Sequence, residues 1–245
     1  MLMLFLSGKA RVGKTTAAKL LAELLYKQGY KPIILPFAAA LKAEVEATGL
    51  TKESDPEQYR LVCQKMGSDR RRENPDYWVD KFLESAYKVL KEENSEEDVP
   101  ERVIIVDDCR YLNELNLAPR FNAIKIFISH GDRRLMEHDE PWRLHESEDM
   151  ANRTEDNDKD YREMYHFVLR NDKDEKSFKK KINNYYNIIM DCAYNIMLEP
   201  LCECELCMAT RYDRNVDMNV LNEQIIDTLK EAFPDTDEEY EDDGA

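Results

Sequence analysis

Two glycines five residues apart, with a lysine and two threonines behind the second, mark the run Gly8, Lys9, Ala10, Arg11, Val12, Gly13, Lys14, Thr15 and Thr16. Without Cβ atoms, such glycines let main-chain N–H groups turn inward around an anion. A lysine at this spacing reaches the β- and γ-phosphates of a nucleoside triphosphate, and the hydroxyl after it ligates Mg²⁺. The spacing has this meaning only between a strand and a helix. Both flanks are expected here: Leu2–Leu6 is an apolar run, and Thr15–Gln28 carries Leu20, Leu21, Leu24 and Leu25 on one helical face, with Gly29 as its stop. The helix then begins at the anion, where its unpaired N–H groups and its dipole favour negative charge. Residues 8–16 are therefore expected to bind a nucleoside triphosphate.

Other groups suit phosphoryl transfer. The segment RVIIVDDCR ends an apolar run in two acids, so Asp107 or Asp108 is a candidate for the metal's water shell. Arg11 stands inside the loop, three residues before Lys14, where a guanidinium can lean onto the transferring group. Arg72, in GSDRRRENP, and Arg110 are candidates to clamp a second phosphate. Gln64 is a candidate partner for a base edge, with Tyr77 or Trp78 nearby, although a tryptophan more often fills a core than stacks on a ligand.

The elements that must carry these groups alternate. Leu2–Leu6, Pro32–Leu35, the run from Arg102, Ala123–Ile128 and Phe167–Arg170 read as strands, several of them continuously apolar as buried parallel strands are. Thr15–Gln28, Asp76–Glu92 and Ser177–Met190 read as amphipathic helices. The expected fold is a three-layer α/β/α arrangement around a parallel sheet of about five strands.

Four stretches, in order, resemble the bacteriophage-type deoxynucleoside monophosphate kinases within the adenylate- and thymidylate-kinase-like P-loop group. They are SGKARVGKTT, PFAAALKAEVEATG, RLVCQKMGSDRRRENPDYWV and DDCRYLNE. HESE at His145–Glu148 and LRND at Leu169–Asp172 are weaker matches. The likeness covers roughly residues 1–190, departing at Ser68 and Asp69, where Thr and Glu are usual, and at Ser129-His130, where an Arg is common. It implies transfer of the γ-phosphoryl group of ATP to a deoxynucleoside monophosphate. Lys14, Arg11, Asp108 and Arg110 would be catalytic, and Thr15 and Asp108 would hold Mg²⁺, directly or through water. Phe37, Lys42, Gln64, Arg72, Trp78 and Arg110 would bind the monophosphate, and Arg133, Arg134 and Arg143 are candidates for the lid.

Composition limits the alternatives. The net charge of −16 argues against polymeric nucleic acid as a partner, since a phosphate backbone needs a basic face. No membrane-spanning run and no signal peptide is expected, which points to the cytoplasm, or a host's cytoplasm for a viral protein. Cys192, Cys202, Cys204 and Cys207 lack paired C-x-x-C spacing, so free thiols are expected over a zinc site. Residues 191–234 read as an extension with an amphipathic helix at Val220–Phe233, packed on the core or at a homodimer interface, and 235–245 as an acidic disordered tail. Two rival functions remain: a P-loop kinase for another phosphorylated acceptor such as phosphomevalonate, and a nucleotide-gated binding protein with little turnover.

Overall fold

Five apolar segments form a single parallel sheet: β1 (Leu2–Ser7), β2 (Lys31–Ile34), β3 (Arg102–Cys109), β4 (Ile124–Ser129) and β5 (Phe167–Arg170), in the order β2-β3-β1-β4-β5. They are seen in a computed structural model that describes residues 2–91, 101–130, 145–155 and 158–198. The Cys202, Cys204 and Cys207 thiols, the helix expected at Val220–Phe233, the acidic end and Arg133, Arg134 and Arg143 all lie outside these residues. β1 is central and buried along its whole length, which is why it reads as unbroken Leu, Met and Phe. β2 is one of the two edge strands, where Pro32 costs no ladder hydrogen bond that a central strand would need.

Helices cover both faces. α1 (Lys14–Lys27) and α8 (Glu175–Leu198) lie on one, where Ala17, Leu21, Leu25, Phe178, Ile182 and Ile189 pack on Leu4, Leu6, Ile105 and Ile126. Alternate residues of the same strands, Phe5, Ile104, Val106 and Phe127, face the other layer. There they meet Phe37 and the Val79, Phe82 and Ala86 stripe of α4 (Tyr77–Lys91). This is a three-layer α/β/α arrangement around a parallel sheet of five strands. α8 runs beyond the expected Ser177–Met190, and Ala193 is still fully buried in the core.

Two of the longer helices were not expected. α2 (Ala38–Glu46) follows β2, and α3 (Pro56–Glu73) precedes α4. α3 is too polar to announce itself by apolar periodicity, since only Tyr59 and Gly67 of its residues are buried. Its start is nonetheless well marked. The Asp55 side chain accepts the Gln58 N–H at 2.9 Å, and Pro56 occupies the first turn, where its missing N–H costs nothing. The remaining helices are short: α5 (Leu112–Leu115), α6 (Asp149–Glu155), which follows a 3₁₀ turn at Glu146–Glu148, and α7 (Lys159–Arg162).

Because every strand runs the same way, β1, β3 and β4 deliver Gly8, the Asp107–Arg110 segment and Ser129 to one edge of the sheet. Ligands of open parallel sheets bind at that edge.

Candidate active site

The loop of residues 8–13, expected from the sequence to cradle phosphate, joins β1 to α1 and is shaped by main chain. Gly8 and Gly13 have φ of +137° and +99°. A Cβ at Gly8 would fall 2.2 Å from the Ile128 carbonyl oxygen, and one at Gly13 would fall 2.6 Å from Asn171 Nδ2. Neither position admits a side chain without moving β4 or the loop after β5. Asn171 is itself part of the scaffold, its amide donating to Val12 O at 3.0 Å. Arg11 also takes a left-handed conformation, φ +67°, at a cost of about 1 kcal/mol or more for a residue with a Cβ. Its backbone is fixed by the loop, and its side chain lines the cleft.

The Lys14 ammonium curls back over the loop and donates to Gly8 O and Lys9 O, each at 2.6 Å. Burial pulls it down to about 8; Arg110 adds to the fall, and Glu148, Asp108 and Asp107 oppose it. A phosphate arriving there would favour the charged form further.

The two acids at the end of β3 diverge as successive strand residues do, Asp107 continuing the face of Val103 and Ile105 and Asp108 that of Ile104 and Val106; the pairing with β1 also shifts register here. Phe5 pairs with Val106 but Ser7 pairs with Cys109, so Asp107 and Asp108 together span the step that Leu6 makes alone. Asp107 turns to the loop and accepts the Thr15 hydroxyl at 2.7 Å. Asp108 turns the other way and caps α2, accepting the N–H of Phe37 at 2.7 Å and of Ala38 at 3.0 Å. Burial raises the Asp108 carboxyl, the Ala38 N–H opposes it, Asp107 adds to the rise and the Phe37 N–H opposes it. Of the two acids, the one beside the Thr15 hydroxyl, expected from the sequence to hold Mg²⁺, is Asp107. Thr15 Oγ and Asp107 are hard oxygen donors side by side, a set that fits Mg²⁺ with water in its remaining positions.

Beside the loop opens a cavity of about 550 Å³. α3 forms one wall, and its Arg60, Cys63, Gln64, Gly67 and Arg71 share a helical face at spacings of three and four. Phe37, Lys42, Trp78, Asp108 and Arg110 also line it. Arg72 does not: its largely exposed side chain pairs with Asp69 at 2.8 Å. Of the three consecutive arginines of α3, the one that lines the cavity is Arg71. Trp78 is buried, its indole N–H donating to Gly67 O at 3.1 Å, so it shapes the wall from behind. Phe37 is buried, its ring packed against Phe5 and Phe82 with centroids 6.0 and 4.3 Å away. Tyr77 points elsewhere, bonded to Glu44 at 2.8 Å.

Two buried carboxylates, neither given a role by the sequence, organise this cleft. Glu148 accepts the Ala10 N–H at 2.9 Å and also the Arg110 guanidinium, so an internal anion already sits on one of the loop's amides. Glu114 accepts from Arg71 at 2.8 Å and from the main-chain N–H groups of Arg110 and Tyr111 at 2.8 and 3.2 Å. His145 accepts the Ser147 N–H at 3.2 Å and meets Ser68 of α3 at 3.3 Å, tying the segment before α6 to the α3 wall. On the loop's outer side, Lys9 pairs with Glu155 at 2.7 Å. Among the described residues no group of three or more His, Cys, Asp or Glu side chains is arranged to hold a metal, and Cys192 is a half-buried free thiol. No described helix is long and apolar enough to cross a membrane.

No protein-family model matches the chain, and no curated protein matches it. Solved structures with a similar chain path include dephospho-CoA kinase from Campylobacter jejuni, with TM-score 0.43 and 13% identity over 80% of this chain and 99% of that one. Shikimate kinase from Bacteroides thetaiotaomicron has TM-score 0.38 and 15% identity over 77% of this chain and 98% of its own. Shikimate kinase from Acinetobacter baumannii in complex with shikimate has TM-score 0.35 and 16% identity, over 77% and 93%. The substrates in those names belong to those proteins.

Proposed function

We propose that the chain transfers the γ-phosphoryl group of ATP to a deoxynucleoside monophosphate. The observation that carries this reading is the cavity beside the phosphate loop, about 550 Å³ in volume, with Arg11 and Arg110 near the loop and Gln64 and Arg71 on its α3 wall. That volume lies within the roughly 300–1,000 Å³ of small-molecule sites. Its polar groups suit an acceptor that has a phosphate at one end and a planar base at the other.

The roles follow from the geometry. The loop amides and Lys14 would hold the donor's β- and γ-phosphates. Arg110 and Arg71 would grip the acceptor's phosphate. Its oxygen is already a competent nucleophile: the new P–O bond forms as the bond to the β-phosphate oxygen breaks, and no general base is required. Arg11 would stabilise the charge spread over the transferring group. Thr15 and Asp107 would hold Mg²⁺, which when bound neutralises charge on the β- and γ-phosphates. With two polyanions brought together, alignment and charge screening are what these residues contribute.

The test is ADP formation from ATP and Mg²⁺ with dAMP, dGMP, dCMP or dTMP as acceptor. At least one is expected to be converted to its diphosphate. Phosphomevalonate, which has no base for Gln64 to bond, is expected to be a poor acceptor. If all four nucleotides fail while ATP binds tightly, the reading is wrong.

A further inference from the structure

Glu114 sits on the single turn of α5, directly after the strand end that carries Arg110, and is only 2% exposed. One carboxylate oxygen accepts from the Arg71 guanidinium at 2.8 Å. The other accepts the main-chain N–H groups of Arg110 and Tyr111. The guanidinium of Arg71 also lies 3.7 Å from the centroid of the Tyr111 ring. Arg71 is thus fixed on one edge by Glu114 and on one face by Tyr111, while its Nη1 has only a contact of 3.5 Å to Gly67 O. A fork held this way keeps part of its donor set for an anion in the cavity.

A buried ion pair is a poor source of net stability, because removing two charges from water costs about as much as their attraction returns. What this pair supplies is geometry. Residue 71 lies on α3 and residue 110 follows β3, 39 positions later in the chain. Their relative placement would otherwise depend on two long, rotatable side chains. A single carboxylate that touches the first guanidinium and the backbone of the second ties the two segments together, while Glu148 holds the Arg110 guanidinium itself.

We propose that Glu114 is the positioning residue of the acceptor-phosphate site: it acts through Arg71 and the Arg110 turn to hold the two guanidiniums for a shared grip on one phosphate. This rests on the phosphotransfer reading for its substrate, but not for its anion. The shared chemistry is a phosphate dianion, which inorganic phosphate also presents.

The experiment uses the full chain with Glu114→Gln, Glu114→Asp, Arg71→Ala and the Glu114→Gln/Arg71→Ala pair. Inorganic phosphate binding is measured by calorimetry with ADP added to fill the loop, and steady-state kinetics are measured with the nucleotide panel. Glu114→Gln is expected to weaken phosphate binding and raise the monophosphate KM by roughly tenfold, the scale of one charge-assisted hydrogen bond. The ATP KM should stay within about twofold, because the loop is shaped by its own backbone. Added to Arg71→Ala, the same change should cost much less than it does alone, since residues acting as one unit are not additive. Glu114→Asp keeps the buried charge but withdraws it by one methylene, and is expected to give the same KM rise if the Gln variant does not fold. Unchanged phosphate affinity and monophosphate KM in a folded variant would overturn the proposal. So would equal losses for both substrates, or full additivity with Arg71→Ala. If the parent converts none of the four nucleotides, the function proposed above fails, and the phosphate-binding arm alone decides the role of Glu114.

Discussion

The phosphate loop keeps its shape through main chain, whereas the wall facing it is kept in place by charges drawn from distant parts of the sequence. In the loop the critical contacts are Gly8 against Ile128 O, Gly13 against Asn171, and the Lys14 ammonium on Gly8 O and Lys9 O. On the wall they are Arg71 on Glu114 and Arg110 on Glu148, separated by 43 and 38 residues. The two regions should therefore fail differently. A loop built from backbone survives the loss of one side chain and loses only that side chain's chemistry. A wall built from paired charges loses its geometry when either partner is neutralised, because the other is left buried and unpaired.

The largest test of this contrast is Lys14→Ala. The ammonium donates to two carbonyls of its own loop, but the glycines and the strand–helix junction set the loop's path. Turnover should fall by at least roughly 10²-fold, the scale for losing one preorganised electrostatic group. Thermal stability should change little. Turnover within a few-fold of the parent would remove Lys14 from the chemistry, and a collapse of the melting temperature would mean that the loop depends on it for shape.

The same contrast explains which parts of the molecule were legible in the sequence. The loop could be read directly, because its residues are neighbours and its glycines are required by local backbone geometry. The five strands and the helices α1, α4 and α8 could be read from apolar patterning. α3 could not, since its buried face consists of little more than Tyr59, Gly67 and the cavity wall, and a face turned toward a ligand need not be apolar. The Asp55-Pro56 start was the available signal. With α3 laid out as a helix, Gln64, Gly67 and Arg71 fall on one face and Arg72 turns away. Asp107, which meets Thr15, and Asp108, which caps α2, are separated by strand alternation alone, but only once the face that carries Val103 and Ile105 is known to be the one beneath α1. Glu114 and Glu148 gained their roles only through partners brought from far along the chain.

A smaller test uses pH. Burial pushes the Glu114 carboxyl from an ordinary 4.5 up to about 7; Arg71 and the Arg110 N–H oppose the rise and Asp108 adds to it. The groups facing it are Arg71 from α3, Asp108 and Cys109 from β3, and Arg110 and Tyr111 from its own turn. With a folded value above the unfolded one, this group's contribution to stability is full below about 4.5 and is lost as pH rises through about 7. Its grip on Arg71 runs the opposite way, being strongest once the carboxyl is ionised. The monophosphate KM of the parent should therefore improve several-fold between roughly pH 6 and 8, beyond the change due to the substrate's own second ionisation near 6. Glu114→Gln should show only the substrate's part. Identical profiles for the two proteins would mean that Glu114 does not titrate in the working range.

The smallest expected effect is also the sharpest discriminator, because it falls on the residue next to one of the largest. Successive helical positions are turned by about 100°, and of these two adjacent arginines Arg71 lines the cavity and Arg72 does not. Arg71 is four residues beyond Gly67 and seven beyond Gln64, on the face that lines the cavity. Arg72 has 74% of its side chain exposed and pairs with Asp69, itself 38% exposed. Exposed pairs of this kind contribute between about 0 and 1 kcal/mol. Arg72→Ala should thus leave the monophosphate KM within about twofold of the parent and the stability within about 0.5 kcal/mol, the usual range for a surface change. Arg71→Ala, one position earlier, should raise that KM by roughly tenfold, as loss of one charge-assisted contact does. The measurement is a pair of KM values taken side by side. Should Arg72→Ala prove the more damaging of the two, α3 presents its other face to the acceptor, and the wall described here is not the one that binds it.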